Sequence, residues 1–559
     1  MKLNIFILCF FYTFILFAQD VKTKKLIIKD KLSPDIPFSD KIKETIDFSD
    51  TTQIDKVQEY DFIDSKMKLN YVSRPLSAAK IKEEKNKYLS KRRRIILAGG
   101  SHGTSQLNIL TDLLNYNNLS TTFSLSNLHR SFEIEERDAG LSNFKVNTYV
   151  KGVFHKHILF GDVTHERSKF HIYGIPNSGV SNYSANGINS AENSFIFSKL
   201  QIKAISKNTL NTDFKHQTHF YITDLNRRSE NRIHLSTILR KDVKSYPVTL
   251  DLSIDNYIHY NRDYYGPILI EKRDVKIFQL NPSTEIVKNG IDMDFGLGFR
   301  HISDEENSFD IFPEIRLKKE LSPNILTVYS GLISKVNRNT YKTLFDINPY
   351  INSYGVGTLF DNNDTLDLRN TNTKELFFSI SNVLGKEEVI DAGISMSYIQ
   401  NSPSFYNDFN SPRFLVEYQD IWELNANIDY RWNINHLLGF KLNADYYYWS
   451  QELISKREDF ILQHRSNIEA DASIFVNFED KINLKTSFIY FSKKKVVEYP
   501  DIVSYLPSRF NIGINLDYNY NDAIGGFIHL NNITNSRKYI WQGYKEIGIN
   551  LMLGFGYSF

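Results

Sequence analysis

The chain has 559 residues, and its 67 Lys and Arg against 65 Asp and Glu leave a formal net charge of +2. That balance points to no charged partner, and we expect no nucleic acid among the partners. Aromatic residues make up 14% of the chain and the mean hydropathy is negative. This composition is unusual for a bundle of membrane helices and ordinary for a β-barrel with a wet interior.

The N-terminus has the pattern of a secretory signal peptide. A short basic start is followed by an apolar run from Ile5 to Phe17, which is too short to remain as a transmembrane helix. We predict a signal peptide over residues 1–18, with cleavage after Ala18. The single cysteine, Cys9, lies inside this run, so the mature chain has no disulfide.

Residues 19–93 differ in composition from the rest of the chain. They are rich in Lys, Asp, Glu and Ser, include three prolines and contain only short apolar clusters. We predict an extended periplasmic segment that is mostly disordered until it docks. The segment is too short for a lumen plug with a packed core of the usual size.

Residues 94–559 are predicted to form an outer-membrane β-barrel. From Trp422 to Trp432 apolar and polar residues alternate strictly, as in a strand between lipid and a polar lumen. The two tryptophans would lie ~34 Å apart along a strand, or ~25 Å in height at a 45° tilt, which matches the apolar band between two aromatic girdles. The segment from Phe510 to Tyr520 repeats this geometry. We therefore predict girdle positions at Trp422, Trp432, Phe510 and Tyr520.

The same alternation recurs along the chain. It is found in the segments 248–258, 291–300, 440–448 and 472–478. Short turns alternate with longer polar loops, such as the loop around residues 361–364. At ~20 residues per strand and connection, the length predicts an all-β antiparallel barrel of about 22 strands, within an even number from 16 to 24.

Charged residues at the polar positions of these strands are candidates to line the lumen and to contact hydrophilic solutes. The lumen-facing candidates are Asp251, Asp292, Asp294, Asp429, Arg431 and Asp517. His155 and His157 could share one face of a strand, but no third metal ligand is identifiable. We predict no metal site, no cofactor and no catalytic residues.

The last fifteen residues, Lys545 to Phe559, place large apolar residues at alternate positions and end the chain on an aromatic residue. This is the pattern of a final barrel strand, and it resembles the C-terminal signal recognised by the barrel-assembly machinery. The residues assigned to this signal strand are Ile547, Ile549, Leu551, Leu553, Phe555, Tyr557 and Phe559.

A family resemblance follows from several short motifs. The segment from Leu530 to Tyr539 and the final Gly554 to Phe559 resemble the closing hairpin of TonB-dependent receptors. Asn348-Pro349-Tyr350 and the segment from Val72 to Ala78 resemble a branch of that family that lacks the N-terminal plug. Near the first strand, the sequence from Ala98 to Gly103 departs from that branch.

The resemblance implies an integral outer-membrane protein with a pore or receptor role in solute passage. The alternative is a non-transporting scaffold subunit of an outer-membrane protein assembly or secretion complex. In either case we expect outer-membrane lipids, the barrel-assembly machinery and periplasmic or surface-lipoprotein partners. A barrel this wide without a plug would leak, so we expect loops, lumen side chains or residues 19–93 to close it.

Overall fold

The computed structural model describes most of the region predicted to form the barrel. The described residues are 93–116, 118–174, 192–207, 214–226, 230–244, 246–260, 272–304, 307–351, 368–385, 387–407, 412–451, 462–479, 481–498 and 502–559. The predicted signal peptide, the predicted periplasmic segment as far as residue 92 and the loop around residues 361–364 lie outside these ranges.

The described residues contain 28 strands and one helix, α1 (Tyr341–Ile347). The strands are β1 (Arg93–Gly100), β2 (Thr104–Asn115), β3 (Leu119–Arg130), β4 (Glu133–Ile134), β5 (Arg137–Asp138), β6 (Leu141–Val153), β7 (His157–His171), β8 (Glu192–Ser206), β9 (Lys215–Asn226), β10 (Glu230–Val243), β11 (Tyr246–Tyr260), β12 (Lys272–Lys288), β13 (Ile291–Ser303), β14 (Ser308–Ser322), β15 (Leu326–Arg338), β16 (Asn370–Gly385), β17 (Glu388–Asn407), β18 (Phe414–Asn433), β19 (Leu438–Gln451), β20 (Ile468–Phe478), β21 (Ile482–Phe491), β22 (Lys494–Glu498), β23 (Ile502–Leu506), β24 (Arg509–Asn519), β25 (Ile524–Asn531), β26 (Tyr539–Trp541), β27 (Tyr544–Lys545) and β28 (Asn550–Ser558).

Twenty-two of these strands form one closed antiparallel sheet. Each strand pairs with its neighbours along the chain, and the sheet closes where β1 pairs with β28. The remaining strands form three small hairpins, β4–β5, β22–β23 and β26–β27, inside longer connections. The predicted fold class and strand number are therefore confirmed. Within the described ranges, no helix has the length and apolar character that a transmembrane helix needs.

Large apolar side chains on the outer face explain why these segments form barrel strands. In β18, Trp422, Ile428 and Trp432 are each nearly 40% exposed, while polar residues alternate with them. Such an array of exposed apolar residues is costly in water and stable against lipid. In a strand the side-chain period is two, so the alternate residues face the lumen.

The two ends of the barrel have different connections. The end that carries Arg93 and Phe559 has short turns, such as Asn289-Gly290, whose φ angles of 54° and 71° suit a tight hairpin. The other end carries the long connections, the three small hairpins and α1. Short turns are typical of the periplasmic end of a bacterial barrel, so we call the end with the long connections the outer end.

The final strand is shorter than predicted. β28 begins at Asn550, and both Ile547 and Ile549 precede it. The side-chain amide of Asn532 donates to the carbonyl of Ile547 at 2.7 Å, and the Ile549 N–H donates to Asn535 Oδ1 at 3.0 Å. The assignment of these two isoleucines to the strand was wrong because asparagine side chains, rather than a neighbouring strand, bind their backbone.

Candidate functional site

The buried apolar residues of this barrel are concentrated at its outer end. Several connections and the strand ends beside them contribute to one packed cluster, and His464, in the connection after β19, packs against its residues Phe414 and Trp541. We call this cluster the cap; it comprises residues 172–174, 339–351, 412–414, 463–466 and 539–546. These segments follow β7, β15, β17, β19 and β25, which lie in different parts of the 22-stranded ring. Their side chains can meet only across the barrel mouth.

Three tyrosines from separate connections form the centre of the cap. The rings of Tyr350 and Tyr544 stack with centroids 3.6 Å apart, and Tyr173 packs edge-on against both at 5.8 and 5.0 Å. The Tyr173 hydroxyl donates to the carbonyl of Lys545 at 2.9 Å. Burial raises the pKa of Tyr544 and of Tyr350 well above the usual value of 10. The centre of the cap is therefore uncharged and closely packed.

Helix α1 presents one apolar face to the barrel wall. Tyr341, Leu344 and Phe345, at helical spacing, are buried, and the ring of Phe345 packs edge-on against Phe170 of β7 and Phe195 of β8 at 5.5 and 4.5 Å. β7 and β8 are at least seven strands from β15 in either direction around the ring. The connection that follows β15 therefore crosses the mouth.

A buried carboxylate holds the N-terminus of α1. Glu230, the first residue of β10, is 2% exposed and accepts hydrogen bonds from the Tyr341 N–H at 2.5 Å and the Tyr257 hydroxyl at 2.7 Å. The guanidinium of Arg338 lies 4.2 Å above the ring of Tyr257 and interacts electrostatically with Glu230. A carboxylate at a helix N-terminus satisfies free N–H groups and opposes the helix dipole.

Polar side chains join the cap segments to one another. Asn193 of β8 is fully buried and donates to the carbonyls of Pro349 and Ile351 at 2.9 and 3.2 Å. The guanidinium of Arg413 donates to Asn193 Oδ1. The Tyr544 hydroxyl donates to the carbonyl of Pro412. Each of these bonds links residues that are distant along the chain, so the cap is held as one unit.

His464 is a buried titratable group in the cap. Its ring lies between Phe414 and Trp541, with centroids 5.3 and 5.1 Å away. Neither ring nitrogen has a hydrogen-bond partner among the described residues. Burial, reinforced by the positive charge of Lys494, lowers the pKa of His464 to about 3, so the imidazole is neutral near pH 7.

We expect the cap to lose stability on acidification. Between about pH 3 and about pH 6.5, which is the pKa of an unfolded histidine, His464 binds a proton when the cap is unfolded and stays neutral when the cap is folded. The stabilisation is therefore complete above pH 6.5 and falls by about 1.4 kcal/mol per pH unit below it. Hydrogen exchange of residues 339–351, corrected for intrinsic rates, should accelerate roughly 15-fold from pH 6.5 to pH 5.

The matched control is His464→Phe, which keeps an aromatic ring and removes the titrating group. Burial, followed by the charge of Arg509, lowers the pKa of Lys494 to about 8, so this ammonium stays protonated throughout the tested range. The guanidinium of Arg465 does not titrate there either. An unchanged pH dependence in His464→Phe would assign the effect to another group.

The six lumen-facing candidates all lie opposite the exposed apolar side chains of their strands, and they do not form one site. Asp251, the Asp292 and Asp294 pair, the Asp429 and Arg431 pair, and Asp517 belong to β11, β13, β18 and β24. The ion pairs that involve them are Asp294–Arg316 at 3.1 Å, Asp292–Lys318 at 3.9 Å, Arg431–Asp429 at 2.8 Å, Arg431–Asp391 at 2.7 Å and Asp517–His529 at 3.3 Å. Their contact with a solute stays a prediction.

The predicted girdle residues are exposed on the outer face. Trp422 and Trp432 of β18 and Phe510 of β24 are 38–44% exposed, and Tyr520, one residue after β24, is 65% exposed. The C-terminal residues from β28 onward that share this exposed face are Leu551, Leu553, Phe555, Tyr557 and Phe559. Roles as a membrane girdle and as an assembly signal stay predictions.

The sequence patterns did not reveal the cap. Asn348-Pro349-Tyr350 was noted only for its resemblance to a family motif. Nothing local indicates that Tyr350 stacks on Tyr544. Across the described ranges, no group of three or more His, Cys, Asp or Glu residues could hold a metal ion.

Known structures share this architecture. No protein-family model and no curated protein matches the chain. A ferric enterobactin receptor of Pseudomonas aeruginosa is 12% identical, with a TM-score of 0.62 over 84% of this chain and 80% of the receptor. The siderophore receptor PirA of Acinetobacter baumannii is 11% identical, with a TM-score of 0.63 over 84% and 80%. The iron transporter FrpB of Neisseria meningitidis is 9% identical, with a TM-score of 0.63 over 84% and 82%.

At these identities the likeness establishes the fold. The chain is a 22-stranded β-barrel with the fold of these receptors, as its closing motifs indicated. The absence of a plug, which the resemblance also implied, stays a prediction.

Proposed function

We propose that this barrel is a gated pore or receptor for hydrophilic solutes and that the cap is its outer gate. The observation that carries the proposal is the convergence of several connections on one buried cluster across the mouth of a barrel with a polar interior. A 22-stranded barrel encloses a lumen wide enough to leak if nothing obstructs it. A packed outer cap supplies a barrier that displacement of a few loops could remove.

The structure offers a direct way to open the mouth. Arg338, the last residue of β15, pairs with Asn370, the first residue of β16. Residues 339–369 between them can therefore be replaced by an Asn-Gly hairpin turn. We expect the full chain to conduct little in a planar bilayer. The shortened variant should conduct about tenfold more, because it loses α1 and Tyr350 from the cap.

The control is Ile347→Ser, which changes an exposed side chain at the end of the same helix. It should conduct as little as the full chain. If the shortened barrel is folded and conducts no more than the control, the cap is not the gate. Deletion of residues 19–92 from the shortened variant then tests whether that segment contributes to closure, as the sequence led us to expect.

The alternative function is a non-transporting scaffold. A cap with many buried hydrogen bonds also suits a barrel that never opens. Purification from native membranes in mild detergent distinguishes the two functions. Stoichiometric envelope proteins would favour the scaffold, whereas a solitary barrel, or one bound only to a surface lipoprotein or an energising protein, would favour passage.

A further inference from the structure

Charged side chains are distributed unevenly around the lumen face, which is the face opposite the exposed apolar residues. In β8, for example, Leu200 and Ile202 are exposed on the outer face, so Lys199 and Lys203 face the lumen. The lumen cations of β6, β8 and β10 are Lys145, Lys151, Lys199, Lys203, Arg232 and Arg240. Arg232 is paired with Asp255 of β11 at 2.5 Å and Arg240 with Glu285 of β12 at 2.8 Å, so the positive charge of this sector rests on the four lysines. In β6–β10 the described lumen carboxylates are Asp162, Glu166, Asp242 near the periplasmic end and, beneath the cap, Glu230. We call this sector the basic wall.

The lumen face of β17–β20 has the opposite charge. Its carboxylates are Asp391, Glu423, Asp429, Asp445, Glu469 and Asp471. Its described cations are Arg431 and Lys441. Asp445 pairs in register with Glu469, so these two carboxylates are neighbours on adjacent strands. We call this sector the acidic wall.

The two walls face each other across the lumen. Six strands, β11–β16, separate them on one side of the ring, and seven, from β21 to β3 through the closure, separate them on the other. The charges lie at similar heights. Lys199 is seven residues from the periplasmic end of β8, and Asp471 is seven from that end of β20.

In the sector between the walls, on β13 and β14, carboxylates and cations are paired with each other. On β13 and β14, Asp294 pairs with Arg316 at 3.1 Å and Asp292 with Lys318 at 3.9 Å, so its charges are neutralised locally. The separation of charge is therefore confined to the two opposite walls and is not a general property of the lumen.

The width of the barrel and the screening of charge by salt determine how the two walls act on mobile ions. A 22-stranded barrel is about 40 Å across its backbone, whereas charges in physiological salt are screened over about 8 Å. The fields of the two walls therefore do not cancel at the centre of the lumen. Each wall concentrates mobile ions of opposite sign beside it.

We propose that the opened lumen conducts anions along the basic wall and cations along the acidic wall, and that each wall sets the permeability for one sign of charge. The solutes expected are small hydrophilic ions of either sign. This proposal rests on the proposed function, because the cap must open before ions can pass.

The first test neutralises the acidic wall in the chain whose residues 339–369 are replaced by Asn-Gly. The triple variant Asp445→Asn, Glu469→Gln and Asp471→Asn keeps side-chain size and removes three charges. Reversal potentials in a KCl gradient should give a potassium-to-chloride permeability ratio near one for the parent. The ratio should fall about two- to fivefold in the variant.

The matched test neutralises the basic wall with Lys145→Gln, Lys199→Gln and Lys203→Gln, and the ratio should rise by a similar factor. Lys319→Gln, on the outer face of β14, is the control and should leave the ratio unchanged. Folding of each variant is checked by heat-dependent migration on gels.

The outcomes of these tests distinguish a failure of this proposal from a failure of the proposed gate. If the shortened parent does not conduct, the proposed gate fails. If it conducts but both triple variants keep the parent's permeability ratio, the gate stands and the separate ion paths are wrong. A shift of the same sign in both variants also overturns the proposal, because opposite walls must act in opposite directions.

Discussion

Replacing Glu230 by Leu should release α1 from the barrel wall. The change removes the acceptor of the Tyr341 N–H and of the Tyr257 hydroxyl, and it removes a carboxylate that interacts electrostatically with Arg338. Each buried donor that loses its acceptor costs about 1–3 kcal/mol, so the loss of both hydrogen bonds costs about 3 kcal/mol. We expect the closed cap to lose about this much stability and to become the minor state.

Cleavage by trypsin measures how often α1 leaves the barrel wall. Lys342 in α1 forms an ion pair with Asp346 at 2.6 Å, and its side chain is only 14% exposed in the closed cap. Cleavage after Lys342 requires the helix to leave the wall. A loss of 3 kcal/mol should raise the cleavage rate on intact cells about 100-fold, because proteolysis follows the population of the open form.

Two further variants make the result interpretable. Glu230→Gln keeps an acceptor and loses the charge, so its cleavage rate should lie between those of the parent and Glu230→Leu. Glu285→Gln removes a carboxylate from an exposed pair with Arg240, which is worth at most about 1 kcal/mol, and should change little. Equal cleavage in Glu230→Leu and the parent would show that Glu230 does not hold the helix.

The barrel could be predicted from sequence because its determinants are local. The alternation from Trp422 to Trp432 fixes a strand and its lipid face without reference to any other strand. The same local reasoning failed at Ile547 and Ile549, where alternation continues but Asn532 and Asn535 bind the backbone. A side-chain period of two does not reveal which groups form hydrogen bonds with the backbone.

The cap could not be predicted because its contacts are not local. The Tyr173 hydroxyl bonds the carbonyl of Lys545, 372 residues away. No periodic pattern connects these positions, and loops have no hydrophobic repeat to indicate what they bury. The polar character of the lumen could be read from the strands, but its division into opposite walls required the order of strands in the closed ring.

The largest effect at the centre of the cap is expected from Tyr544→Ala. Tyr544 is 1% exposed and contacts Tyr350, Tyr173 and Phe414. Truncation of a buried aromatic side chain costs about 3–5 kcal/mol, so the cap should open and conductance should rise. Tyr544→Phe keeps the ring and loses only the hydrogen bonds of the hydroxyl, to the Pro412 carbonyl and with the Gly174 backbone, worth about 1 kcal/mol each, and should stay closed.

Gly174 gives this prediction a stricter form. A Cβ at Gly174 would lie 2.5 Å from two ring carbons of Tyr544, so Gly174→Ala alone should displace that ring and open the cap. Once Tyr544→Ala has removed the ring, the added methyl group has space. The double variant should therefore conduct no more than Tyr544→Ala alone, because residues in contact are not additive. Additive conductance in the double variant would mean that Gly174 and Tyr544 act on the gate independently, against the packing described here.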